Sequence, residues 1–305
     1  MRIILIACIM LASFSWCLAT TQVYSLRIRR AFVPPQLRDH MPITHWRGVV
    51  VPIVNGRIDN ISNPDIFTKH LYTGAVLNGR YMQKHWWIEL TTAVAREKMT
   101  FTIDGIPGSA ARTGLDDIVL ETGVNFLTKS RSQFVVSFLA GFPSRRKIEP
   151  FDVAGALVGT RLFSVGPAVE ASWGFYENAK QALVGIAIAR CLHFFSRKFF
   201  PILPCEGRFH PGNLTDILVA LRYRYIRHVF EIGYDATVFS NIFTELPFQT
   251  SPSEHFVRNT FYGNYIYGFK KIKGAFLGTG VSGLFIDGGK LSRGWTWWLT
   301  TGIIF

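Results

Sequence analysis

A chain of 305 residues with 33 Lys plus Arg against 20 Asp plus Glu carries a formal charge of +13, and 49% of it is hydrophobic while 17% is charged. That balance, with 26 Phe, 10 Tyr and 8 Trp, excludes a disordered polyampholyte and leaves room for a large core or a lipid-facing band. Beyond the N-terminus no run approaches the roughly 18–20 apolar residues of a spanning helix, which excludes a multi-helix membrane protein.

Met1 and Arg2 precede the apolar run Ile3 to Ala19, which ends on Cys17-Leu18-Ala19. A charged start, an apolar middle and a small-residue end are the layout of a secretory signal peptide, so residues 1–19 are expected to be cut off after Ala19. The alternative is an uncleaved helical anchor. Of the four cysteines only Cys191 and Cys205 then survive. In an oxidising compartment they are spaced to close a loop, and a disulfide and two free thiols are equally open. No metal site is expected, because metal binding would want closer pairs and more ligands.

Residues 20–68 hold Arg27-Ile28-Arg29-Arg30, Pro34-Pro35 and an apolar run Val49 to Val54 broken by Pro52. They read as an extension outside the main fold, an inner plug or one irregular strand. From about residue 69 the signal changes to alternation of period two, in stretches of roughly 10 residues ended by polar or Gly-containing turns. In the clearest stretch Ile217, Val219, Leu221, Tyr223 and Tyr225 share one face, and Asp216, Ala220, Arg222 and Arg224 the other. Twelve such segments are expected: 71–81, 85–101, 115–128, 133–142, 153–163, 166–176, 182–193, 215–226, 229–239, 256–269, 274–286 and 294–305. A turn at Arg227-His228 would set Arg224 opposite Glu231.

Strands of this kind either stack as a sandwich with apolar faces inward or close as a membrane barrel with apolar faces outward. Their length suits a tilted crossing of a bilayer. Aromatic residues gather at strand ends, as Trp86-Trp87, Tyr223 and Tyr225, Tyr262 with Tyr265 and Tyr267, and Trp295 to Trp298, which suits interfacial girdles. The opposite faces carry Gly, Ser, Thr and isolated charges. With a signal peptide and a last alternating strand ending on Phe305, residues 69–305 resemble bacterial outer-membrane β-barrel proteins.

The resemblance implies an all-β, antiparallel up-and-down transmembrane barrel of about twelve strands in the outer membrane, with 20–68 as a periplasmic extension or plug. Phe305 would be the membrane insertion signal. The implied partners are the barrel assembly machinery, acting through the last strand, and outer-membrane lipid including lipopolysaccharide. With Phe305 in the periplasm, connections in the C-terminal half obey the rule of short periplasmic turns and long external loops, but those in the N-terminal half invert it. A missed or false strand near 165–195 would repair the parity, so ten or fourteen strands stay open.

Inside such a barrel Arg80, Arg161, Arg222, Arg224 and Arg258 would face inward together with Glu89, Glu121, Glu170, Glu231 and Asp235, lining the interior with both signs. Enclosed charges of both signs must pair or stay wet. They serve a structural network or a selective, narrow passive pore for small solutes, and roughly twelve strands enclose enough space to favour the pore. Rival readings are a barrel enzyme acting on lipid, such as a phospholipase or lipid A deacylase, and a structural or adhesive barrel. His193 near Ser196 and His210 near Asp216 are the nearest approach to hydrolytic groups, without a family motif to fix their geometry. Gly278-Thr279-Gly280-Val281-Ser282-Gly283 matches a dinucleotide fingerprint in letters only, since no helix follows. No cofactor is expected. Arg145-Arg146-Lys147 and Lys270-Lys271-Ile272-Lys273 fall at turns, and a secretory start argues against nucleic acid.

Overall fold

The computed structural model describes residues 44–60, 66–83, 85–103, 106–115, 117–129, 132–144, 162–178, 180–202, 205–246, 249–250, 254–272, 275–285 and 293–304. Every element among them is a strand: β1 (Thr44–Asn60), β2 (Ile66–Gln83), β3 (Trp86–Ile103), β4 (Ile106–Leu115), β5 (Ile118–Lys129), β6 (Ser132–Phe142), β7 (Ser164–Glu177), β8 (Gln181–Phe194), β9 (Arg197–Ile202), β10 (Cys205–His210), β11 (Asn213–Tyr225), β12 (His228–Leu246), β13 (Gln249–Thr250), β14 (Glu254–Gly268), β15 (Ala275–Phe285) and β16 (Arg293–Ile304). The dinucleotide-like glycines lie inside β15, as strand residues.

Twelve of these strands pair antiparallel with two neighbours each, in the order β1-β2-β3-β5-β6-β7-β8-β11-β12-β14-β15-β16. β1 also pairs with β16, from Val49↔Ile304 to Asn60↔Arg293, so the hydrogen-bonded neighbours form an unbroken cycle. A cycle leaves no edge strand in the wall, so each wall strand has a hydrogen-bonded neighbour on both sides. The remaining strands extend one end. β4 folds back on the far half of β3, while β9, β10 and β13 build on the far end of β12.

The two ends differ in connection length, overlapping only at 61–65 with five residues and 269–274 with six. At one end the wall strands join through residues 84–85, 130–131, 178–180, 226–227 and 269–274. At the other they join through 61–65, 104–117, 143–163, 195–212, 247–253 and 286–292, which include the accessory strands. This is the asymmetry of outer-membrane barrels, with short turns on the periplasmic side.

Two corrections explain why the expected sidedness inverted in the N-terminal half. Segment 153–163 lies outside the described residues except for its last two, and β6 pairs directly with β7, so no wall strand stands between them. A wall strand is instead formed at 44–60, inside the stretch read as extension, plug or irregular strand; the third reading holds there, and the barrel begins at β1 rather than at residue 69. The exchange keeps the count at twelve and moves every long connection to one end. The irregularity of β1 is Pro52: its pairing to β16 skips from Val50↔Ile303 to Ile53↔Thr300, as expected where a residue has no N–H to donate.

Alternation decides which side faces lipid. On β11 Ile217, Val219, Leu221 and Tyr223 are exposed while Leu214, Asp216, Leu218, Ala220 and Arg222 are buried. On β16 Trp297 and Leu299 are 46% and 49% exposed, which excludes a sandwich with those side chains inside. Trp86, Tyr223 and Tyr225 lie outward near the short-turn end, with Tyr81 beside Trp86 at 5.7 Å between ring centroids. Trp87 and Tyr262, expected in the girdles, turn inward instead. Each covers a cross-strand glycine, Trp87 over Gly123 and Tyr262 over Gly233. A Cβ on either glycine would come within 2.5 Å of the ring, so the absent side chain makes room for the aromatic one.

Candidate functional site

The inner wall concentrates its ionic chemistry at two places. In the β2–β3 hairpin Arg80 is cross-strand from Glu89 and paired with it. Asn78 Nδ2 donates to Glu89 Oε1 and to Thr91 Oγ1, both at 2.7 Å, and the Arg80 guanidinium lies 4.3 Å from the centroid of the Trp87 ring. In the β11–β12 hairpin Arg222 is cross-strand from Glu231 and paired with it. Tyr262 donates its hydroxyl to Glu231 Oε1 at 2.9 Å. Both glutamates are enclosed, Glu89 at 1% and Glu231 at 4% exposure.

The two pairs are related by geometry as well as by chemistry. Each joins an Arg to a Glu nine residues later across a two-residue turn, 84–85 in one hairpin and 226–227 in the other. They therefore sit at the same depth above the short-turn end. β3 and β12 are separated by five strands either way round the cycle, so the pairs face each other from opposite walls.

Further charges continue the lining. Arg190 Nε donates to Asp216 Oδ2 at 3.2 Å, and Thr237 Oγ1 donates to Asp216 Oδ1 at 3.0 Å, all three residues buried. Glu121 is buried directly opposite Glu89 on β5 and accepts from Ser137 Oγ at 2.7 Å. Asp235 is buried between Leu218 and Thr260 in register. Glu170 occupies an inward position of β7, between Val135 and Ile188, yet is exposed. Water thus reaches the inner wall at Glu170 while the flanking inward residues are shielded.

Of the residues expected to line the interior, Arg222, Glu231, Asp235, Glu121 and Glu170 stand on inward positions. Arg224 does too, close to the turn, where its Nη2 lies 3.8 Å from Glu177 Oε1. The turn is Ile226-Arg227, one residue earlier than expected, so Arg222 rather than Arg224 opposes Glu231. Arg258 is cross-strand from the inward Thr237, and its side chain lies outside the described residues, as do Arg161 and Phe305. Cys191 is a free, exposed thiol that accepts from Thr215 Oγ1 at 3.7 Å. The disulfide to Cys205 is not made: Cys191 faces outward on β8, whereas Cys205 opens β10, which pairs with β9 and β12.

Arg190 was not expected. Its strand carries Val184, Ile186 and Ile188 on the inward face, so polarity does not alternate along β8 and gives no sign of an inner side. The histidines are engaged elsewhere: His193 Nδ1 with Asn213 Oδ1 at 2.8 Å, His210 Nε2 with Glu245 Oε2 at 3.2 Å, and His228 Nδ1 with Tyr265 Oη at 2.9 Å. His210 faces Glu245 and not Asp216, which is held by Arg190 and Thr237. A cavity of about 970 Å³ borders Trp173, Phe175, Leu221, Ile232, Phe261 and Val281 on the outer wall, is apolar and includes none of the ionic residues.

A closed antiparallel ring, apolar outside and lined inside by charged and polar side chains beside the apolar inner residues of β8 and β11, with short turns at one end and long loops at the other, is a transmembrane β-barrel of the bacterial outer-membrane class. The chain is similar in fold to an outer membrane channel from Pseudomonas putida F1, with a TM-score of 0.60 and 11% identity over 87% of this chain and 97% of that one. It is also similar to the beta domain of the Bordetella autotransporter BrkA, with a TM-score of 0.50 and 10% identity over 85% and 99% of the two chains. No protein-family model and no curated protein sequence matches the chain.

Proposed function

We propose that this barrel is a narrow passive channel of the outer membrane, whose constriction is the level of the paired hairpins. The observation that carries the reading is the placing of Arg80–Glu89 and Arg222–Glu231 at one depth on opposite walls, with the water-exposed Glu170 on the inner face between them in ring order. Opposed charged side chains in a closed barrel narrow the path and bias which ions cross it. The fold shared with an outer membrane channel supports the same reading.

Planar-bilayer recording tests it. The protein is expected to give small, discrete conductance steps, and Glu170→Lys to shift the reversal potential in a salt gradient toward anions. Protein that is folded and inserted but conducts nothing contradicts the channel. One observation favours a second reading, a barrel sealed by its own side chains: Glu89, Glu231 and Asp235 are almost completely enclosed. That reading expects silence from the native chain and conductance only after Arg222 and Glu231 are both truncated.

A further inference from the structure

We propose that the short-turn rim of the barrel is a binding surface for the headgroups of anionic phospholipids in the adjoining leaflet. Each of the five short connections contains at least one Lys or Arg and none contains Asp or Glu, whereas at the other end 104–117, 143–163, 195–212 and 286–292 mix both signs, 61–65 carries only Asp65 and 247–253 carries no charge. The described part of the surface is formed by three neighbouring turns. They carry Lys180 between β7 and β8, Arg227 between β11 and β12, and Lys270 and Lys271 between β14 and β15.

Backbone hydrogen bonds join these turns into one rim. The Ile226 N–H donates to the Lys180 carbonyl at 2.6 Å, and the Gly268 N–H to the Arg227 carbonyl at 2.9 Å. Lys180, Lys270 and Lys271 are exposed, and Arg227 Nη1 is enclosed without a hydrogen-bond partner. Glu177, the carboxylate at the edge of the first turn, faces Arg224.

Apolar side chains interleave with the bases. Ile226, Phe269 and Ile272 are exposed, and Ile226 is held at a φ of 53°, a conformation that a β-branched residue adopts only at a cost. A purely solvated turn would favour Asn or Gly there. Bases beside apolar residues, just beyond an aromatic girdle, match a leaflet boundary: the apolar groups enter the acyl region while the cations meet phosphate.

The test reconstitutes the full-length barrel in mixed phosphatidylcholine and phosphatidylglycerol vesicles, extracts it with a nanodisc-forming polymer and quantifies the retained lipid. The native protein is expected to enrich phosphatidylglycerol at least about twofold over the bulk, less so in high salt. The variant K180Q/R227Q/K270Q/K271Q should lose that enrichment, and K270Q/K271Q, which alters only exposed side chains, should lose part of it. R145Q/R146Q/K147Q, on a long connection, should keep it. Heat-dependent gel mobility checks that each barrel is folded. No enrichment by the native chain, equal enrichment by the rim variants, or equal loss with the long-connection variant would overturn the proposal.

Discussion

Arg222 and Glu231 show what a charge needs in order to exist inside this wall. Each is at most 5% exposed at the side chain, and water is replaced by the partner and by the Tyr262 hydroxyl. Taking one member away leaves the other desolvated. Glu231→Ala is therefore expected to destabilise the barrel by about 3–5 kcal/mol, while Arg222→Met with Glu231→Leu costs far less because no orphaned charge remains. Urea unfolding in lipid vesicles measures both, and equal costs for the single and double variants would show the pair to be solvated. Glu170 is the opposite case: it is exposed, so Glu170→Lys should alter selectivity with little effect on stability.

At the scale of elements, the β11–β12 hairpin trades local strain for position. Asn tolerates the left-handed region where Ile does not, so Ile226→Asn is expected to stabilise the hairpin by about 1 kcal/mol. The same substitution removes an apolar contact at the rim and should reduce phosphatidylglycerol enrichment; unchanged stability in urea would show the turn to be unstrained. Hairpins such as this one were legible from residues alone, because Ile217, Val219, Leu221 and Tyr223 differ so clearly from Asp216, Ala220 and Arg222. β1 was not, for a physical reason. Pro52 argues against a central strand, and at the β1–β16 seam it is accommodated by one interrupted stretch of a long ladder. β8 reads as a strand, but its apolar inner face hides Arg190, which the register alone brings to Asp216. Glycine was informative in an unexpected sense: Gly123 and Gly233 mark where an inward aromatic ring lies flat, not where the chain turns.

For the whole molecule, closure ties the separate readings together. The antiparallel order brings the long connections to one end and the basic turns to the other, and the pairing of β1 with β16 sets the two Arg–Glu hairpins on opposite walls. Among the twelve wall strands β2, β3 and β12 reach 18, 18 and 19 residues, well beyond the roughly 9–11 that cross a bilayer at a tilt. The surplus stands beyond the membrane at the long-loop end, where β4, β9, β10 and β13 pair with it. The arrangement as a whole rests on apolar faces meeting hydrocarbon and polar faces meeting an enclosed centre. Spin labels placed one at a time at residues 216–222, in a cysteine-free background reconstituted in vesicles, test this most directly through collision with oxygen and with a water-soluble nickel complex. Oxygen access should peak at 217, 219 and 221 and fall at 216, 218, 220 and 222; the opposite phase, or no alternation, would contradict a membrane-spanning barrel.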